Sequence, residues 1–322
     1  MQQIEDLQEF DQAPEMAYRT LDPSGLRVSV IGFGTWSVGG IKWGETDPEE
    51  SLEVMHHALD QGINLFDTAP VYGGGRSETL LGKMARERRD ELVIATKAGL
   101  RIQPDGSFYC DTRPDALQED LDASRKRLQA DTIDLLQVHW PPGDGLSSAA
   151  LSKLDEMRSS GMVRALGVCH FPLRKLRPIQ EVLTLDTVQL RFNLLQRQLF
   201  EEERSFCREQ DIAILSCTSL AKGLLTGKYE QRPSFTDLDN RSGDPLFEPD
   251  QFSAHLEHVQ QVLDVAEDVE QPASAVALNW THHQPGITSA LAGMKTREQV
   301  DQNVRAVGWE LSEDQMETLT DG

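Results

Sequence analysis

Short apolar runs alternate along this chain with longer stretches in which apolar positions return every three or four residues. The runs at 30–34, 64–68, 92–97, 133–139, 163–169, 187–193, 212–218 and 288–293 are rich in Val, Ile and Leu. They are mostly continuous in apolarity rather than alternating, which predicts strands buried on both faces. Between them, Asp47-Pro48-Glu49-Glu50 predicts a helix start, with an N-cap aspartate, a proline in the first turn and a glutamate at the third helical position. Leu52, Met55, Ala58 and Leu59 then share one face. Further helices are predicted over 113–128, 147–160, 173–183, 201–210, 271–283 and 297–307. Eight strands alternating with helices, without a break in composition, predict an α/β chain folded as one (β/α)8 TIM barrel. Residues 1–17 read as an acidic N-terminal extension and 18–322 as the barrel.

A doubly wound dinucleotide-binding sheet is the rival, and its best support is Gly32-Phe33-Gly34 with Glu53 about 20 residues on. The third glycine of that fingerprint is replaced by Ser37, and no helix signal appears before Asp47. The Gly-x-Gly therefore reads as a tight turn. Two insertions stand out, 99–112 after the third run and 219–252 after the seventh. Loops of that length are usually functional, and in a barrel they fall on the catalytic face.

Composition narrows the function classes. Over 322 residues the net charge is −22, and a nucleic acid is a poor partner for such a chain. No apolar run approaches the ~20 residues that span a bilayer, and the N-terminus lacks a signal-peptide design, so the expectation is cytoplasmic and not membrane-bound. Cys110, Cys169, Cys207 and Cys217 lie far apart without a CxxC pair, which argues against a disulfide framework and structural zinc. They read as reduced thiols, three of them buried. Only nine of the 31 basic residues are lysine. An acidic, lysine-poor surface suits a high-salt cytoplasm, although an ordinary acidic protein has the same signature.

The chemistry gathers at the strand ends. Asp67 closes the second run, Lys97 the third and His139 the fourth, while Tyr72 follows the second within "NLFDTAPVYGGGRSE". A phenol of pKa ~10 is a weak acid at neutral pH. A lysine cation beside it lowers that pKa, an aspartate holds the cation, and a neutral histidine donates to a carbonyl. Such a set protonates a carbonyl oxygen as hydride reaches the carbon. No side chain donates hydride, so a nicotinamide cofactor is implied.

"GFGTWSVGG", "GINLFDTAPVYGGGRSE", "VIATKAGL", "DLLQVHWP", "GLLTGKY" and "GMKTREQVDQN" follow one another as in the aldo-keto reductases, which the chain resembles from about Arg19 onward. That resemblance implies a barrel binding NADP(H) across its C-terminal mouth and a small carbonyl compound as substrate. It implies catalytic roles for Asp67, Tyr72, Lys97 and His139, with Tyr72 as proton donor. Trp36 and Trp140 are implied to line the substrate pocket. Cofactor contacts are implied at Thr35, Trp36, Asp67, His170, Gln189, Thr218, Leu220, Lys222, Gly223, Gly293, Lys295, Thr296, Gln299 and Asn303. Lys295 also stands at a helix start, where a phosphate is favoured.

Three positions depart from the family pattern. Cys169-His170 stands where Ser-Asn is common, Cys217 where an aromatic ring stacks on the nicotinamide, and Pro142 where an aspartate often follows Pro141. These leave room for an alternative, a non-catalytic NADPH-binding subunit like those of potassium channels. A short-chain dehydrogenase requires Tyr-x-x-x-Lys, which is absent. Of the other histidines, adjacent pairs on a helix diverge by ~100°, and His255/His258 has no third ligand in view, so no metal site is expected.

Overall fold

The computed structural model describes residues 14–40, 43–103, 105–197 and 200–321. Most of the expected 1–17 extension lies outside these. Within it, Met16 is buried against the core, and the Ala17 carbonyl accepts from Val30 N at 2.9 Å.

An antiparallel hairpin, Tyr18–Leu21 (β1) with Leu26–Ser29 (β2), precedes the barrel. The strands Ile31–Gly34 (β3), Leu65–Asp67 (β4) and Val93–Ala98 (β5) follow. The 99–112 insertion is not a bare loop, because it holds a second hairpin, Leu100–Ile102 (β6) with Phe108–Cys110 (β7). Ile133–Val138 (β8), Val163–Cys169 (β9), Thr187–Arg191 (β10), Ala213–Cys217 (β11) and Ile287–Ala292 (β12) complete the set. Eight strands close in the order β3-β4-β5-β8-β9-β10-β11-β12, with β12 returning to β3 through Ala290 opposite Ile31. All eight expected strands are present, each within two residues of its expected ends.

The helices Pro48–Asp60 (α1), Arg76–Arg88 (α2), Pro114–Leu128 (α3), Ser148–Ser159 (α4), Leu173–Gln180 (α5), Glu201–Glu209 (α6), Pro249–Asp268 (α7), Ala273–His283 (α8), Arg297–Val304 (α9) and Glu313–Asp321 (α10) follow in chain order. Their apolar stripes pack on the outward faces of the strands in one continuous core. The inward residues Leu65, Val93, Ala95, Leu135, Ala165, Leu215 and Leu291 form a second cluster, joined by Leu21, Leu26 and Val28 of the first hairpin. That hairpin fills the N-terminal end of the barrel and leaves the C-terminal end for a site.

Several expectations need correction. Gly32-Phe33-Gly34 is not a turn but the body of β3, and a Cβ on Gly32 would stand 2.5 Å from a methyl of Leu291. Helices α2, α7 and α10 were not expected. In α2 a strongly polar run dilutes the period carried by Leu80, Leu81, Met84 and Ala85, and α7 begins inside the 219–252 insertion without a side-chain cap. Lys295 stands just ahead of α9, whose cap is Thr296, and α9 is followed by α10. All four thiols are free, but two rather than three are buried, Cys169 and Cys207.

Candidate active site

At the C-terminal end of the barrel, Lys97 Nζ donates to Asp67 Oδ2 at 2.7 Å, to the Thr68 carbonyl at 2.9 Å and to Tyr72 Oη at 3.3 Å. Lysines at strand ends ordinarily reach for solvent. Lys97 is 1% exposed and turns inward, because Asp67 is the acceptor that makes its burial tolerable. The second oxygen of Asp67 accepts from Gln189 Nε2 (2.8 Å) and Gln137 Nε2 (3.2 Å). His139 follows β8, its N–H bonded to the Ala98 carbonyl, and its ring meets Tyr72 edge-on at 5.9 Å. The four residues expected to be catalytic thus converge.

The loop carrying Tyr72 is held from behind. Thr35 donates to the Asp67 carbonyl through both N–H and Oγ1 (2.9 Å each). Ser77 Oγ donates to Thr35 Oγ1 at 2.5 Å and accepts from Thr68 Oγ1 at 3.0 Å. Gly73, Gly74 and Gly75 all have positive φ, and a Cβ on Gly73 would stand 2.2 Å from the Gly39 carbonyl oxygen. Glu78 then accepts from Thr96 beside Lys97 and from Arg127, both at 2.6 Å, joining the helix after Tyr72 to the strand of Lys97. The glycine run is a turn that aims the tyrosine.

Electrostatics corrects one expectation. Lys97 does pull the Tyr72 phenol down, but loss of hydration pushes it up by more, and the phenol lies above its ordinary value. Burial pulls Lys97 down, yet Asp67 first and Tyr72 next raise it further, so it stays a cation. Burial first, then the Lys97 cation, holds His139 well below the usual imidazole range. The resting site therefore contains a protonated phenol, a lysine cation and a neutral imidazole.

Rings line the opening. Trp36 stacks on Tyr72 at 5.8 Å, and Trp140 meets His139 at 5.9 Å while 39% exposed. His170 follows β9 with φ of 57°, and burial first, then Arg191 and Lys97, depress its pKa to about 4. Its Nε2 lies 3.8 Å from Cys217 Sγ, whose pKa burial pushes up to about 11. Cys169 Sγ faces Gln137 Oε1 at 3.7 Å.

The segment after β11 bends through left-handed backbone at Thr218, Ala221, Lys222 and Gly223, next to Leu220. Lys222 is committed to Asp244 (2.5 Å) and the Asn240 carbonyl (2.8 Å). A Cβ on Gly223 would meet Lys228 Nζ at 2.6 Å. Lys228, Arg241 and Lys295 lie in one another's fields, and partial desolvation, then Arg241, lowers both lysine pKa values. Lys295 Nζ donates to the Trp43 carbonyl, and Arg241 lies over the Trp43 ring. Thr296 and Gln299 cap α9 reciprocally, since Gln299 N donates to Thr296 Oγ1 (3.2 Å) and Lys295 N to Gln299 Oε1 (2.8 Å). Asn303 is buried on α9, and Gly293 leaves room for Ser37 Oγ, a buried hydroxyl without a partner among the described residues. Asp239 pairs with Arg241 at 2.6 Å, so a phosphate-bearing cofactor fits the two lysines, Lys228 and Lys295, beside positive-φ backbone.

Sequence reasoning missed Gln137, Arg241, Trp43 and Phe108. Gln137 had a signal, since it is polar in an apolar strand and two residues from His139, hence on the same face. Trp43 and Arg241 sit in turns where no period applies, and Phe108 opens a three-residue strand too short to carry one. Four of the remaining histidines have these partners: His57 with Asp301 at 2.6 Å, His255 with the Leu246 carbonyl, His258 with that of Leu319 and His282 with that of Ala306. His258 and His282 are buried. Among the described residues no group of three His, Cys, Asp or Glu could hold a metal, and no helix is long and apolar enough to cross a membrane.

Comparison with known proteins agrees with this fold. Aldo-keto reductase YhdN of Bacillus subtilis is 37% identical over 310 residues, covering 95% of this chain and 93% of that protein. The NADH-specific methylglyoxal reductase of Escherichia coli is 28% identical over 308 residues, covering 91% and 94%. The structure of the glycerol dehydrogenase AKR11B4 from Gluconobacter oxydans superposes with a TM-score of 0.86 at 31% identity, covering 96% of this chain and 94% of that one. The Aldo/keto reductase family model matches residues 30–321, and the chain belongs to that family.

Proposed function

We propose that the protein reduces an aldehyde or ketone to the alcohol, with NADPH as the hydride source and Tyr72 as the proton donor. The observation that carries this reading is the chain Asp67–Lys97–Tyr72 with neutral His139 beside it. Tyr72 starts protonated and can give its proton to a carbonyl oxygen placed at Oη. The phenolate left behind faces Lys97 at 3.3 Å, which at an effective dielectric near 20 stabilises it by about 5 kcal/mol. Asp67 keeps Lys97 charged, and His139 is in the protonation state to donate a hydrogen bond to the same oxygen. The Trp36, Tyr72 and His139 rings limit the access of water to the reacting group.

The choice of NADPH rests on Lys228 and Lys295, which lie beside Arg241; Asp239 pairs with Arg241 (2.6 Å), and the two lysines have no carboxylate of their own within ion-pair distance among the described residues. The test is oxidation of NADPH and NADH, followed by absorbance, against a panel of carbonyl compounds. NADPH should be preferred, and Lys295→Met should narrow the preference about tenfold. Equal use of the two cofactors would remove the phosphate argument. Tight NADPH binding without turnover of any carbonyl would favour a regulatory subunit instead.

A further inference from the structure

The β6–β7 hairpin has two unlike faces. Leu100 pairs with Cys110 and Ile102 with Phe108, and directly paired residues point to one side. Arg101 and Tyr109 point to the other, where Arg101 Nη2 bonds the Ala116 carbonyl (3.1 Å) and reaches Glu119 and Asp120 (3.2 Å each) on α3. The first face turns toward Trp140. Phe108 meets the Trp140 ring at 5.6 Å, and Cys110 Sγ lies 3.8 Å from the Trp140 carbonyl oxygen. Trp140 meets His139, and His139 meets Tyr72. A row of rings therefore leads outward from the phenol that donates the proton.

Its outer members stay wet. Ile102 is 45% exposed, Phe108 38% and Trp140 39%. Single exposed apolar residues need no explanation, whereas a contiguous group running into a site marks a binding surface. Lys175, whose charge reaches Cys110, is engaged with the Pro142 carbonyl, so the wall is presented as rings and aliphatic carbon.

Resting on the reductase reading above, we infer that this face recognises the substituent of the carbonyl compound. The substrate class is then aldehydes or ketones carrying an aromatic or branched apolar group, rather than short hydroxylated ones. About 55 Å² of apolar surface removed from water is worth about tenfold. The experiment compares kcat/KM for 3-phenylpropanal and glyceraldehyde in the full-length protein.

The wild type should favour 3-phenylpropanal at least about tenfold, and Phe108→Ala should lower that ratio about tenfold, mainly through KM. Phe108→Leu should recover most of it. Tyr109→Ala, on the opposite face, should leave the ratio within about twofold. Because each ratio is taken on one preparation, partial unfolding cancels. A wild-type ratio near one, an unchanged ratio in Phe108→Ala, or an equal loss in Tyr109→Ala overturns the inference while the reductase reading stands. If neither compound is reduced, and no other carbonyl is, that reading falls and takes the inference with it.

Discussion

Replacing Asp67 by Asn removes the charge that keeps Lys97 ionised in the interior. In the wild type, Asp67 accepts from Lys97 Nζ, Gln137 Nε2 and Gln189 Nε2. Asn offers one acceptor oxygen, so at least one of these donors would face an NH2 group. Breaking a buried pair by removing one partner costs about 3–5 kcal/mol. With an unfolding entropy of about 2.1 cal/mol/K per residue, or about 0.7 kcal/mol/K for this chain, Tm should fall by roughly 4–7 °C at neutral pH.

The pH dependence makes the test specific. In the wild type the Lys97 pKa is raised on folding, so its contribution is complete below the unfolded value near 10.4 and is lost only as pH rises through the folded value. In Asp67→Asn burial acts unopposed and the folded pKa falls below the unfolded one. The unfolded state then binds more protons, and the variant gains stability as pH rises from 7 toward 10. Differential scanning calorimetry at pH 7, 8.5 and 10 should show the Tm gap between the two proteins narrowing. A gap of under 1 °C, or one that stays constant with pH, would refute the claim that Asp67 sustains a buried lysine cation.

Three further outcomes follow from the electrostatics. Because burial holds His139 well below the usual imidazole range, kcat/KM should show no inflection from it between about pH 5.5 and 8, read from a pH–rate profile. Its depressed folded pKa also means that the unfolded state takes up the proton first, so the stability His139 contributes is lost as pH falls below about 6.5, measurable by urea unfolding. If the net charge of −22 and the scarcity of lysine reflect a salt-rich setting, Tm should rise between low and molar KCl, and an unchanged Tm would mark an ordinary acidic protein.

The barrel was legible because its buried strands are short, apolar and regularly spaced, and because helix signals such as Asp47-Pro48 are local. Asp47 accepts from Glu49 N and Glu50 N, as the capping pattern requires. The positions of Asp67, Lys97 and His139 were legible for a related reason, since a polar residue that ends an apolar strand can only face the barrel mouth. What was not legible depends on contacts between distant segments. The inward role of Gly32 is set by Leu291 on a strand far along the chain. The raised pKa of Tyr72 is set by dehydration, which the neighbouring lysine only partly offsets. The hairpin within the 99–112 insertion pairs only three residues a side and has one face turned to Trp140, so neither strand carries a full period of its own.

The central claim is that the Tyr72 phenol donates the proton and does not merely line the pocket. Tyr72→Phe keeps the ring that stacks on Trp36 and deletes only the hydroxyl that Lys97 faces. NADPH oxidation by this variant, with a carbonyl that the wild type reduces, should fall by roughly 10²–10⁴-fold, while the Kd for NADPH, titrated by fluorescence, stays within about threefold. Turnover at even a tenth of the wild-type rate would contradict the account.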